Sequence, residues 1–213
     1  MAEFLLHCFA QSGNAYKPAL MLRLAGADWS PRFVDYFNGE TRTPAYRAIN
    51  VMGEVPVLEH QGRSISQSGV ILHHLADTLG QFGPRTPEER EEVLRWILFD
   101  NHKLTSYTAT YRFMRTFGKD PDPAVLAFLH TRCESAWGIL DTHLAGRDFV
   151  VADRLTIADL SLCGYLFWPE EIGVDWAAYP NIARWLIHLR NEPLWVHPYQ
   201  LMPGHPLPAA TTA

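Results

Sequence analysis

The chain has 213 residues, 47% hydrophobic and 19% charged, enough to bury a sizeable core and too apolar for compositional disorder. A formal charge of -5, with no basic run longer than isolated pairs, offers no extended positive field, so nucleic acid is not an expected partner. No apolar stretch reaches membrane-spanning length, the opening MAEFLLHCFAQSGNAYK lacks the basic start of a signal peptide, and Cys8, Cys133 and Cys163 form no CxxC pair. A reduced, cytoplasmic setting without membrane contact is therefore expected.

Residues 4 to 9, FLLHCF, are apolar on both faces and suit a strand covered on both sides of a sheet. After the turn QSGN, apolar residues recur at helical spacing from Ala15 to Ala25, Pro18 falls in the first turn, and Gly26 supplies the stop. Phe33, Val34 and Tyr36 predict a second strand, and Thr43-Pro44 predicts the cap and first residue of a short helix through about Ile49. Two short strands then flank the turn His60-Gln61-Gly62, one from Val55 to Glu59 and one from Ser64 to Ser66. A helix follows from about Ser68 to Leu79, ahead of Gly80.

Residues 81 to 86, QFGPRT, have the composition of an interdomain linker, and strand signals end there. Thr86 to Glu89 form a capping box that opens a long helix to about Phe117. Asp120-Pro121-Asp122-Pro123 breaks it, and further helices are predicted over residues 124 to 145, 156 to 168 and 180 to 190. From Pro193 onward the tail holds five prolines and is expected to lie extended over the surface. The division is thus an α/β domain at residues 1–80, a linker at 81–86, and an all-helical domain at 87–213.

Pro56 stands inside an otherwise strand-like run, EVPVL. A proline cannot donate to a ladder, so it marks an edge, a strand start or a cis bend. Some ten residues on, SISQSGVI places Gln67 and Ser68 at a helix start, where backbone N–H groups, a hydroxyl and an amide make a site for a carboxylate; a plain helix cap by Ser68 is the alternative.

Strand, SGN-x-YK turn, helix, EVPVL, QSGVI and then a helical region with Thr156-Ile157-Ala158-Asp159 together resemble the cytosolic glutathione transferase family, over essentially the whole chain. The resemblance implies a thioredoxin-like N-terminal domain, a helical C-terminal domain, glutathione as co-substrate and a homodimer. It also implies that Val55 lends backbone groups to the cysteinyl part of glutathione, that Gln67 and Ser68 grip its γ-glutamyl end, and that Pro56 is cis. Thr156 and Asp159 form the family's structural capping box.

Catalysis is expected at the first turn, where a group meets exposed N–H groups and the positive end of a helix dipole. Ser12 is the candidate, its hydroxyl favouring the thiolate of glutathione by hydrogen bonding. In the family's serine-using classes a basic residue follows at a spacing like that of Lys17. Asn14 is a second donor to the sulfur. Tyr16 and Cys8 are alternatives, the first inside the predicted helix and the second inside the apolar strand. Arg42 is a candidate for the glycyl carboxylate, or an ordinary solvated arginine. Tyr107 and Tyr111, on a stripe with Asp100 and Leu104, and Trp168 are candidates for the pocket of a small electrophile, since the family places the long helix there. No metal site is expected: the densest histidines, His73 and His74 near Asp77, have no zinc-ligand spacing. Detoxification by conjugation is the activity implied; glutathione-dependent isomerisation or reduction, or a non-catalytic carrier role, are its rivals.

Overall fold

The computed structural model describes residues 2–207. The first half is a four-stranded sheet with helices. Strand β1 (Phe4–Cys8) lies between β2 (Trp29–Phe33), with which it is parallel, and β3 (Val57–His60), with which it is antiparallel; β4 (Arg63–Ser66) closes the order β2-β1-β3-β4. Helices α1 (Gly13–Leu24), α2 (Pro44–Ile49) and α3 (Ser68–Leu79) connect and cover the strands. This is the thioredoxin-like arrangement.

The second strand falls earlier than the apolar pattern at Phe33 to Tyr36 predicts. Trp29–Phe33 contains Pro31, which a central strand would not tolerate, but β2 is an edge and loses no ladder bond on its open side. Helix α1 likewise begins at Gly13, so Pro18 stands inside it, beyond the first turn. Ser12 is the N-cap residue, and Thr43 and Thr86 cap α2 and the helix that starts at Pro87 in the same way, each accepting from a backbone N–H three residues on.

The helical half follows from α4 (Pro87–Phe99) through a π-helical turn at Asp100–Leu104 into α5 (Thr105–Phe117), so the predicted long helix has a register break. Then come α6 (Pro123–His143), α7 (Ile157–Leu162), α8 (Pro169–Ile172), α9 (Pro180–Arg190) and α10 (Pro198–Leu201). Residues 156 to 168 do not form one helix: α7 tightens into a 3-10 turn, Cys163–Tyr165, at Gly164, and α8 restarts at Pro169. The Thr156/Asp159 capping box is present, and the buried Asp159 carboxylate also accepts from Val150 N–H at 2.8 Å and from the Trp185 indole at 3.0 Å.

The tail is not extended throughout, since it holds α10. Met202 is buried, Ala10 N–H donates to Pro203 O at 2.8 Å, and Gln11 exchanges two hydrogen bonds with the His205 backbone. It is pinned to the turn between β1 and α1. Of its five prolines, Pro208 lies outside the described residues.

Candidate active site

A cavity of about 430 Å³ opens where the β1–α1 turn meets the loop at Tyr36 and Phe37, the segment Gly53–Val55 and one face of α5. Ser12 lines it. Its Oγ accepts from Ala15 N–H at 3.2 Å as the cap of α1, which uses a lone pair and not the hydroxyl proton. The hydroxyl therefore combines a donor with the positive end of a helix dipole.

A smaller cavity of about 30 Å³ adjoins it, lined by Pro56, Gln67, Ser68 and Asn101, and both cavities are bordered by Asn14, Glu54 and Val55. Those three residues are a wall common to the two. Ser68 is the first residue of α3 and donates to Asn14 Oδ1 at 3.5 Å, linking the starts of α1 and α3. Gln67 holds φ 69°, a left-handed conformation that costs a non-glycine residue about 1 kcal/mol or more, and its amide donates to Glu54 Oε2 at 3.1 Å. The Val55-Pro56 bond is cis. Among the described residues, the Val55 N–H and C=O have no protein partner, so an extended ligand backbone can pair with them.

The remaining predicted residues lie elsewhere. Arg42 is exposed, its guanidinium packed over Gly39, and it borders neither cavity. Tyr111 is buried against His130 of α6, and Tyr107 sits on the same side of α5, beneath Lys103. Thr110, Phe113 and Phe117 instead turn toward the cavity, because each step along a helix rotates the side chain by about 100°. Trp168 is buried behind the wall, with the Arg112 guanidinium 3.7 Å above its ring.

Tyr16 has no solvent exposure and donates to Val196 O at 2.9 Å, on the side of α1 facing the tail; burial pushes its pKa up. Cys8 is a core thiol raised by burial to about 12. Lys17 is also fully buried and pairs with Asp100 rather than facing the cavity. His74 pairs with His60 at 2.9 Å, not with Asp77, and His73 on the next helical position turns elsewhere.

Sequence reasoning missed the aromatic wall and what supports it. Phe9, Tyr36, Phe37, Phe113 and Phe117 line the larger cavity, Phe9 stacking on Tyr36 at 4.9 Å and Phe37 meeting Phe117 at 5.3 Å. The i, i+4 pair Phe113/Phe117 was the available signal. Arg112 forms part of the floor: it donates to Gln11 O at 2.7 Å, to Glu171 at 2.8 Å and to the Tyr199 hydroxyl at 2.9 Å. One side chain thereby ties α5 to the β1–α1 turn, α8 and the tail.

Two family models match the chain: the N-terminal domain of glutathione S-transferase over residues 11–78 and its C-terminal domain over residues 123–193. The chain belongs to the glutathione S-transferase family. Glutathione S-transferase D7 of Drosophila melanogaster is 28% identical over 180 residues, which cover 82% of this chain and 77% of that protein. Elongation factor 1-gamma of Rattus norvegicus is 25% identical over 91% of this chain, which spans only 45% of that longer protein. A crystal structure of a glutathione S-transferase from Pseudomonas fluorescens Pf-5 is similar with a TM-score of 0.88 at 31% identity, covering 93% of this chain and 100% of that one. The larger cavity takes Ser12, Asn14, Tyr36 and Val55 from the N-terminal match and Tyr165 from the C-terminal one, while α5 lies between the two matched stretches.

Proposed function

We propose that the chain is a serine-type glutathione transferase that binds the tripeptide along the groove and activates its sulfur at Ser12. The observation that carries this reading is that the two cavities lie side by side and share Asn14, Glu54 and Val55 as lining residues. It lets one elongated ligand reach from the start of α3 to the start of α1. The γ-glutamyl carboxylate is held by the α3 N-terminus with Ser68 and Gln67, and its ammonium faces Glu54. Val55 pairs with the cysteinyl backbone, beside Pro56. The sulfur then lies at Ser12, with Asn14 adjacent.

A free thiol with a pKa of about 8.5 is only a few per cent ionised at neutral pH. The hydroxyl of Ser12 need not ionise; it donates to sulfur and stabilises the thiolate, while the thiol proton passes to solvent. The thiolate attacks an electrophilic carbon, a C–S bond forms, and the leaving group departs with its electron pair. The aromatic wall supplies an apolar seat for that electrophile. The protein contributes position and charge stabilisation; glutathione contributes the nucleophile.

The same reading makes the active form a homodimer, the α/β domain of one protomer against the helical domain of the other. Val51, Met52, Val70, Leu94 and Leu98 are exposed and offer apolar surface for it. A dimeric mass by light scattering at micromolar concentration is expected; a monomer counts against it.

The match to elongation factor 1-gamma favours a second reading, a glutathione-binding interaction module without turnover. Calorimetry with glutathione, paired with assays of glutathione consumption across a broad panel of electrophiles, separates the two. Binding with conjugate formation supports the transferase. Binding without turnover supports the module, product formed with glutathione unconsumed points to isomerisation, disulfide product points to reduction, and no binding removes all of them.

A further inference from the structure

Tyr165 belongs to the helical half, yet it reaches the first residue of α1. It ends the 3-10 turn Cys163–Tyr165, and two glycines let that turn close on the helix start. A Cβ on Gly13 would lie 2.5 Å from both Gly164 O and Tyr165 Cδ2, and a Cβ on Gly164 would lie 2.8 Å from Gly13 O. Neither position admits a side chain: the space at Gly13 is taken by the phenol ring, and that at Gly164 by the Lys17 side chain. Tyr165 is buried and lines the larger cavity together with Ser12 and Asn14.

We propose that Tyr165 is a second catalytic hydroxyl, donating a hydrogen bond to the glutathione sulfur alongside Ser12, so that each half of the chain contributes one donor to the thiolate. The inference rests on the glutathione reading given above and deepens it. The phenol ring abuts Gly13 at the start of α1 and shares the cavity with Ser12 and Asn14, the same place to which the α1 dipole draws an anion. Burial raises its pKa, against the opposing Arg112 guanidinium, so the group keeps its proton at neutral pH and has it available to donate. No proton moves between Tyr165 and sulfur. The thiol proton goes to solvent, and both hydroxyls remain intact donors through the attack. A role in packing alone needs only the ring, which phenylalanine retains.

The test is a pH titration of thiolate absorbance in the binary complex with glutathione, in the full chain, for wild type, Tyr165→Phe, Ser12→Ala and the double variant. Tyr165→Phe is expected to raise the bound thiol pKa by about one unit and lower kcat at neutral pH about tenfold, with glutathione KM changed less than about twofold. The double variant is expected to exceed either single one. Site-specific 3-fluorotyrosine at position 165, a stronger donor of nearly the same volume, is expected to shift the thiol pKa the other way, and it serves where Tyr165→Phe fails to fold. A thiol pKa unmoved by either change at position 165, while Ser12→Ala raises it, overturns the role of Tyr165 and leaves that of Ser12. Absence of glutathione binding by wild type in equilibrium dialysis overturns the underlying reading, and the inference with it.

Discussion

Lys17 and Asp100 form an ion pair that joins the two halves of the chain, with Nζ 2.6 Å from Oδ2 and neither side chain exposed. Thr105 completes it, accepting from Lys17 at 3.1 Å and donating to Asp100 Oδ1 at 2.6 Å, and the Ser161 hydroxyl also donates to the carboxylate. The π turn at Asp100–Leu104 that presents Asp100 is thereby fixed to α1. Removing one member leaves the other charged and buried, which costs about 3–5 kcal/mol. Lys17→Met is accordingly expected to lose that much stability in urea denaturation; a loss below about 1 kcal/mol would show that the pair is not the clamp the geometry describes.

Acid should destabilise the fold. Burial holds His7, His73, His74, His143 and His197 below the ordinary imidazole value of 6.5. The unfolded chain therefore binds these protons more readily, so their contribution is complete above that value and is lost as the pH falls through it. Asp159 acts in the opposite sense: burial raises it to about 6 despite its donors, so the folded state takes its proton first and gains stability on acidification through that pH. Five groups against one decide the sign. The urea midpoint is expected to fall between about pH 7.5 and about pH 5, and His143→Gln, which can still donate to Val150 O, should flatten the slope. A midpoint that rises on acidification contradicts this account.

The aromatic wall should set affinity for the second substrate rather than for glutathione. Phe113 projects from α5 beside Phe37, at 6.4 Å between ring centroids, and is half exposed. Covering the remaining apolar area on binding contributes about 1 kcal/mol, or a factor of about five. Phe113→Ala is expected to raise KM for an apolar electrophile by about that factor and to leave glutathione affinity unchanged. Equal losses for both substrates would place the electrophile elsewhere.

The parts of the fold that depend on neighbouring residues were legible in the sequence. Thr43, Thr86 and Thr156 each cap a helix whose partners lie within three residues, and Gly80 ends α3 in the left-handed conformation that its sequence position predicts. What depends on distant partners was not. Tyr165 sits in the run LCGYLFW, where an apolar pattern signals core and gives no hint that one hydroxyl turns toward α1. Arg112 has nothing in its local sequence that marks it for burial, and it is buried because Gln11, Glu171 and Tyr199 converge on it from three other elements. The tail's prolines suggested an extended strap, but pairing between Gln11 and His205 spans 194 residues and lies beyond any local rule. Phase explains the pocket: Tyr107 and Tyr111 mark the stripe of α5 facing α6, and the apolar face toward the cavity is the adjacent one.

Ser12→Ala is expected to separate rate from affinity. In the free protein the hydroxyl accepts from Ala15 N–H, so its removal costs about 1 kcal/mol of helix capping, which leaves the chain folded. The contacts proposed for Val55, Gln67 and Ser68 lie along the groove away from Ser12 and remain in place, so glutathione affinity should fall much less than turnover. A hydrogen bond to a charged group contributes about 1.5–3 kcal/mol, equivalent to a rise of about one to two units in the bound thiol pKa. At neutral pH the thiolate fraction falls accordingly, and turnover with it, while raising the pH above the new pKa should restore much of the rate. Ser12→Thr, which keeps a hydroxyl at the cap, should recover most of both. Thiolate titration of the binary complex, run beside Tyr16→Phe, decides the assignment: Tyr16 donates to Val196 O on the far side of α1 and should have no effect. If Ser12→Ala leaves the thiol pKa unchanged while Tyr16→Phe raises it, Ser12 is not the activating group.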